Sequence, residues 1–148
     1  MAVDSAAMAP GARLARGVCR AFAAHGATPV CEVTLRDGRR ADVLALDDRG
    51  RVTIVEVKAS RADFRADAKW DAYRAFCDRF YFAVPADFPQ DILPGPDVCG
   101  VLVADAYDAV EVRAAPHHPI SGQRRRALVL RVARTAGNRL WRLTEPAL

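Results

Sequence analysis

Lysine is nearly missing from this 148-residue chain: only Lys58 and Lys69 stand among 22 basic residues, the other 20 being arginine. Glutamate is scarce too, with four residues against fourteen aspartates, and Glu32 and Glu56 are two of the four. Lys and Arg serve a solvated surface equally well, so the composition reflects a bias towards Arg and Asp. Retained Lys and Glu therefore mark positions where geometry is not interchangeable. No apolar run approaches the roughly 20 residues that cross a bilayer, which excludes a membrane-spanning helix. The N-terminal MAVDSAAMAPGARLARG is broken by Asp4, Pro10 and Arg13 and does not resemble a secretory signal, so a cytoplasmic protein is expected. The four cysteines (Cys19, Cys31, Cys77, Cys99) form no C-x-x-C pair and have no histidine cluster nearby. That excludes a zinc–thiolate site and predicts small buried thiols in a reducing compartment. His117 and His118, in the loop PHHPISG, read as solvent-exposed. Repeats and low-complexity blocks are absent.

Acidic residues are missing from one segment. Between Val112 and Thr144 there is no Asp or Glu and there are eight arginines, so a chain of net charge +4 carries −4 over the remainder. A codon bias towards arginine scatters Arg everywhere but does not remove acids from one flank. The asymmetry points to a phosphate-rich partner.

The apolar spacing predicts a helix over 12–25, ended by Gly26. Three β-rich runs follow at about 30–36, 40–46 and 52–58, joined by Asp37-Gly38 and Asp48-Arg49-Gly50 turns. SRADFRADAKWDAYRAF reads as one helix capped by Ser60 or Asp63, and CDRFYFAVP as a strand parallel to the third run. Four prolines place 85–97 in a loop. VCGVLVAD and AYDAVEVRA read as a strand pair, and GQRRRALVLRVARTAG as a final helix capped by Ser121. Together these describe one α/β domain, a central mixed β-sheet flanked by helices, over 12–148 after a flexible segment 1–11.

Side chains alternate along a strand, so Glu56 and Lys58 extend the apolar row of Val52 and Ile54, and Asp42 and Arg40 extend that of Leu46 and Leu44. Folding the hairpin about Arg49 places Asp42 opposite Glu56 and Arg40 opposite Lys58. Opposed like charges destabilise a sheet by roughly 0.2–1 kcal/mol. A divalent cation held between two carboxylates is the simplest reason for the pairing. The alternative is a Glu56–Lys58 salt pair with Asp42 solvated. Glu32 faces away from Asp42 if the 37–38 turn is a tight two-residue one, and joins its face if the loop has three residues or a bulge.

An Asp followed about a dozen residues later by E-x-K resembles the PD-(D/E)XK nuclease superfamily, whose core order of helix, three-stranded meander, helix and strand matches residues 12–84. The longer text is similar to the MmcB family of bacterial DNA repair proteins: GRRADVLAL, VEVKASRADFRADAKWDAYRAFCDRFYFAV, DILP and VLVADAY. Ala41 stands where the superfamily name has proline. The resemblance implies a restriction-endonuclease-like fold and a Mg²⁺- (or Mn²⁺-) dependent phosphodiesterase site. Asp42, Glu56 and the Val57 carbonyl would hold the metal, Lys58 would position the attacking water, and Lys69 and Glu32 would be accessory catalytic members. DNA is the implied partner, with other DNA repair proteins beside it. Arg40, Trp70, Tyr73, Arg124, Arg125 and Arg126 are the expected nucleic-acid contacts. A non-catalytic DNA-binding or adaptor module and an RNA-directed nuclease are the competing functions.

Overall fold

The computed structural model describes residues 7–145. Six strands form one sheet in the order β1-β2-β3-β4-β5-β6: β1 (Thr28–Thr34), β2 (Arg40–Leu46), β3 (Val52–Val57), β4 (Arg79–Val84), β5 (Gly100–Ala104) and β6 (Ala109–Arg113). The β1–β2, β2–β3 and β5–β6 pairs are antiparallel, while β3–β4 and β4–β5 are parallel. The mixed sheet expected from the sequence is thus present. Its hairpin register is also as expected, with Leu46 opposite Val52 and Leu44 opposite Ile54. Both tight turns rest on glycines in the left-handed region, Gly38 at φ 90° and Gly50 at φ 78°.

The sheet is covered on both faces, which is why its central strands are apolar throughout. On one face α1 (Pro10–Ala24) packs Leu14 and Val18 against Val43, Val55, Tyr81 and Ala83. Proline at its first position fixes the backbone where no N–H bond is needed. The helix begins two residues before the expected boundary at 12, and residues 1–6 of the expected flexible segment lie outside the described residues. The opposite face is covered by α2 (Arg61–Ala66), a 3₁₀ turn (Trp70–Phe76) and α3 (Gly122–Thr144). Its core holds Leu44, Val52, Ile54, Tyr73, Phe80, Phe82, Leu128 and Val132.

Two helices differ from their expected extents. The single helix expected over 60–76 is broken after Ala66, because Asp67 leaves helical geometry (φ −96°, ψ 94°) while its carboxylate receives Lys58 Nζ and the Lys69 N–H. Ser60 is the N-cap, accepting from the Asp63 N–H. The final helix does not stop at Gly137 but runs to Thr144. An interior glycine costs only about 1 kcal/mol. Arg139 beyond it donates to the carbonyls of Cys31 and Glu32 on edge strand β1, which anchors the extra turns.

Asp78 joins β3, β4 and α3 at one end of the sheet. It is 2 % exposed, accepts the N–H groups of Val52 and Ile120, and is gripped by both Nη atoms of Arg125 at 2.6 and 2.8 Å. Burial opposes its ionisation, but these donors outweigh that and hold the carboxyl down to about 2. A depressed folded value contributes stability that is complete above the ordinary carboxyl value and is lost as pH falls through the folded one. Acid titration should therefore remove on the order of 2 kcal/mol between about pH 4 and pH 2. Asp78→Asn should abolish that acid limb in calorimetric melts. Arg125→Ala should cost about 3–5 kcal/mol, since it strands a buried carboxylate. An Arg125→Ala protein as stable as wild type would dismiss the clasp.

Candidate active site

At the opposite end of β3 the sheet opens into a cleft of about 640 Å³, lined by Thr34, Gly38, Arg40, Asp42, Glu56, Val57, Lys58, Asp63, Ala66 and Tyr73. Backbone pairing between β2 and β3 ends at Val43–Val55, one step short of Asp42 and Glu56. Side chains then take over from the ladder. The Asp42 N–H donates to Glu56 Oε1 at 3.0 Å, and the Val57 N–H donates to Asp42 Oδ2 at 2.8 Å. Arg40 consequently does not face Lys58. It pairs with Thr34 on β1, and Lys58 follows the end of β3 with its N–H on the Ala83 carbonyl of β4.

The physical cause lies in a reset of strand alternation. On β1, Val30 and Cys31 pack on opposite faces as expected, but Val33, and Leu35 just past the strand, join the face of Val30. Glu32 between them has φ 52°, a left-handed conformation that rotates the strand and costs a β-carbon residue about 1–2 kcal/mol. On β2, Ala41 likewise joins the face of Leu44 although Val43 lies on the other. A three-residue loop, closed by Leu35 N–H to the Arg39 carbonyl, puts Glu32 across from Asp42. Register alone would bring Glu32 onto the Asp42 face. Its backbone instead leaves the side chain 64 % exposed and 4.0 Å from Arg40, outside the cleft lining.

Two carboxyls held together, Glu56 buried and Asp42 half-buried, resist ionisation. Glu56 is 4 % exposed, and burial first, then the charge of Asp42, pushes its carboxyl up to about 8. Burial also raises Asp42, against the hydrogen bonds it accepts. Lys58 is buried beside them, but its ammonium is bonded to Asp67 Oδ2 at 2.8 Å, not paired with Glu56. Asp67 was invisible as a site member in the sequence, where it reads as one more acid on a helix surface. Tyr73, buried, donates its hydroxyl to the Arg40 carbonyl at 3.0 Å, and burial together with Glu56 and Asp42 raises its phenol.

The remaining expected residues are distributed differently. Lys69 is exposed at the head of the 3₁₀ turn and does not line the cleft. Trp70 and Tyr73 both stack on Phe80, so their rings pack against the core, and Tyr73 also lines the cleft. Arg124 lies over Phe76 and donates to the Ala75 carbonyl, and Arg125 is committed to Asp78, at the far end of the sheet from Glu56. Arg126 is exposed on α3. Nearer the cleft, Arg131 of α3 donates to the carbonyl of Thr34, itself a lining residue.

Among the described residues no cluster of three or more His, Cys, Asp or Glu could hold a metal ion. Asp42 and Glu56 with the adjoining Val57 carbonyl still suit Mg²⁺, which takes one or two carboxylates and keeps several waters. Burial, which raises both carboxyls, and the Asp42 charge, which raises Glu56 further, are what a cation would offset. A second cavity of about 690 Å³ between α1 and β6 also contains acids, but these already have protein partners: Asp47 with Arg51, Glu111 with the Tyr81 hydroxyl, Asp78 with Arg125 and Asp108 with the Ala109 N–H.

A raised folded value means that Glu56 contributes stability fully below its ordinary value of 4.5, and that this is lost as pH rises through about 8. Metal-free protein should lose on the order of 10 °C of Tm across this window. Glu56→Gln should remove the loss and millimolar Mg²⁺ should suppress it. Identical pH profiles for wild type and Glu56→Gln would show that the carboxyl ionises freely.

Among the described residues no helix is long and apolar enough to cross a membrane. The chain is 46% identical, over 95% of each chain, to a protein of unknown function from Silicibacter pomeroyi, whose solved structure it matches with a TM-score of 0.89. None of the curated proteins matches it. The family described as DNA repair protein MmcB-like matches residues 2–147. With that match spanning nearly its whole length, the chain belongs to the MmcB-like family of DNA repair proteins.

Proposed function

We propose that the cleft is a Mg²⁺-dependent phosphodiesterase site acting on structured or damaged DNA in the course of repair. The observation that carries this reading is the Asp42–Glu56 pair, a half-buried and a buried carboxyl with the charge of the first opposing ionisation of the second, at the floor of an open cleft with Lys58 and Arg40 beside them. Neutral Asn and Gln side chains would accept the same two backbone N–H bonds without the cost of burying charge, so structure alone does not call for acids here. Bound Mg²⁺ would polarise the phosphate and acidify water.

In this reading Asp42, Glu56 and the Val57 carbonyl hold the cation, and the crossed hydrogen bonds from Val57 and Asp42 fix both carboxylates in advance. Lys58 supplies a compact ammonium that orients the attacking water and offsets charge growing on the phosphate. Asp67 positions that ammonium. Arg40, 63 % exposed at the rim, contacts a neighbouring phosphate. A second reading, a DNA-binding module with little catalysis, is favoured by one fact: Lys58 already has a carboxylate partner in Asp67.

Single-turnover assays on branched, gapped and duplex DNAs with Mg²⁺, Mn²⁺ or EDTA separate the two. Asp42→Asn should abolish cleavage. Lys58→Arg should lower it at least about 100-fold, because a guanidinium is bulkier and its planar fork does not take the place of a compact ammonium beside the attacking water. Equal rates for wild type and Lys58→Arg would remove Lys58 from the chemistry. DNA binding without cleavage by wild type would establish the binding module instead.

Binding itself should weaken steeply with salt. Arg40→Ala should reduce the slope of log affinity against log salt by about 1, the amount expected for one lost phosphate contact. The variant for this test is Arg40→Ala and not Arg125→Ala, which would disturb the fold. An unchanged slope would place the DNA elsewhere on the surface.

A further inference from the structure

The four cysteines fall into two classes. Cys77 and Cys99 are buried, and their thiols donate to the carbonyls of Tyr73 and Pro94. Cys19 on α1 and Cys31 on β1 are only half-buried, and their Sγ atoms lie 3.3 Å apart. The expectation of buried thiols therefore fails for this pair. It sits outside the carboxylate cleft, at the outer edge of the sheet where α1 crosses β1.

We propose that Cys19 and Cys31 form a reversible disulfide on reaction with a hydroperoxide, cross-linking α1 to edge strand β1. Closing the gap to a bond of about 2.05 Å requires a movement of about 1.2 Å, within reach of side-chain rotation. The surroundings also make the two sulfurs unequal. The Cys19 hydrogen bond and the Arg139 guanidinium favour the Cys31 thiolate, bringing that thiol to about 7 against burial and the charges of Glu32 and Asp42. Cys19 is raised by the same hydrogen bond and by burial. Cys31 is then the attacking sulfur and Cys19 the resolving one.

The chemistry balances with the peroxide as oxidant. The Cys31 thiolate attacks one peroxide oxygen, an S–O bond forms, the O–O bond breaks, and the leaving alkoxide takes a proton to become an alcohol. Cys31 is now a sulfenic acid. Cys19 Sγ attacks that sulfur, the S–S bond forms, the S–O bond breaks, and hydroxide departs with the Cys19 proton as water. Two thiols lose two electrons and one peroxide gains them. In a reducing compartment such a bond is transient, which suits a sensor better than a staple.

The test treats full-length protein with one equivalent of hydrogen peroxide, blocks remaining thiols with iodoacetamide, and digests with trypsin. Cleavage after Arg16, Arg20 and Arg36 releases residues 17–20 and 21–36, each holding one of the two cysteines. The expected product is this pair joined and two hydrogens lighter than its parts, separated again by dithiothreitol. Intact oxidised protein should melt roughly 5 °C higher than reduced protein, because the cross-link restricts the unfolded chain. In Cys19→Ser, with no resolving thiol, dimedone should capture a sulfenic acid at Cys31. Both fragments recovered fully carbamidomethylated, a disulfide-linked dimer on a non-reducing gel, or no dimedone adduct in Cys19→Ser would overturn the proposal.

Discussion

The arrangement on which the cleft depends is the exchange of hydrogen bonds where the β2–β3 ladder stops. Beyond Val43 and Val55, Glu56 accepts the Asp42 N–H and Asp42 accepts the Val57 N–H. Each carboxylate thus satisfies a backbone donor that the departing strand would otherwise leave bare, and a buried unpaired N–H costs about 1–3 kcal/mol. The same two bonds hold the acids side by side. Structural and chemical roles are joined in one pair of residues. The reset of alternation at Glu32 and Asp42 is what lets both acids reach this point while Ala41, Val33 and Leu35 remain in the core.

Around this pair the cleft is built from elements of different kinds. The break after Ala66 turns Asp67 towards Lys58 and thereby holds the ammonium near Glu56. Tyr73, on the 3₁₀ turn beyond the break, closes the wall by bonding to the Arg40 carbonyl. A continuous helix over 60–76 would carry Asp67 as an ordinary surface acid.

The arginine-rich flank divides into structural and exposed members. Arg125 grips Asp78, Arg124 covers Phe76, Arg131 reaches Thr34 and Arg139 ties α3 to β1. Such guanidinium-to-carbonyl bonds explain why a helix without acids is stable on the sheet: its charges find backbone oxygens where carboxylates are lacking. Arg126 remains exposed, and Arg40 at the rim joins Lys58 in lining the cleft beside the carboxylates.

Much of this was legible in the amino-acid order because it depends on local rules. Alternating apolar residues and Gly-containing turns defined β1 to β3 and the Leu46–Val52 register, and the scarcity of Lys and Glu singled out Lys58 and Glu56. Family membership followed from the same text. Other features required the folded chain, because they arise between residues distant in sequence. Lys58 finds Asp67, Asp78 finds Arg125, and Cys19 meets Cys31 only once β3, α3 and α1 are packed. Glu32 shows the limit most clearly: its strand position was within reach of the sequence. Its outward direction is set by a single left-handed backbone angle, which no pattern of side chains encodes.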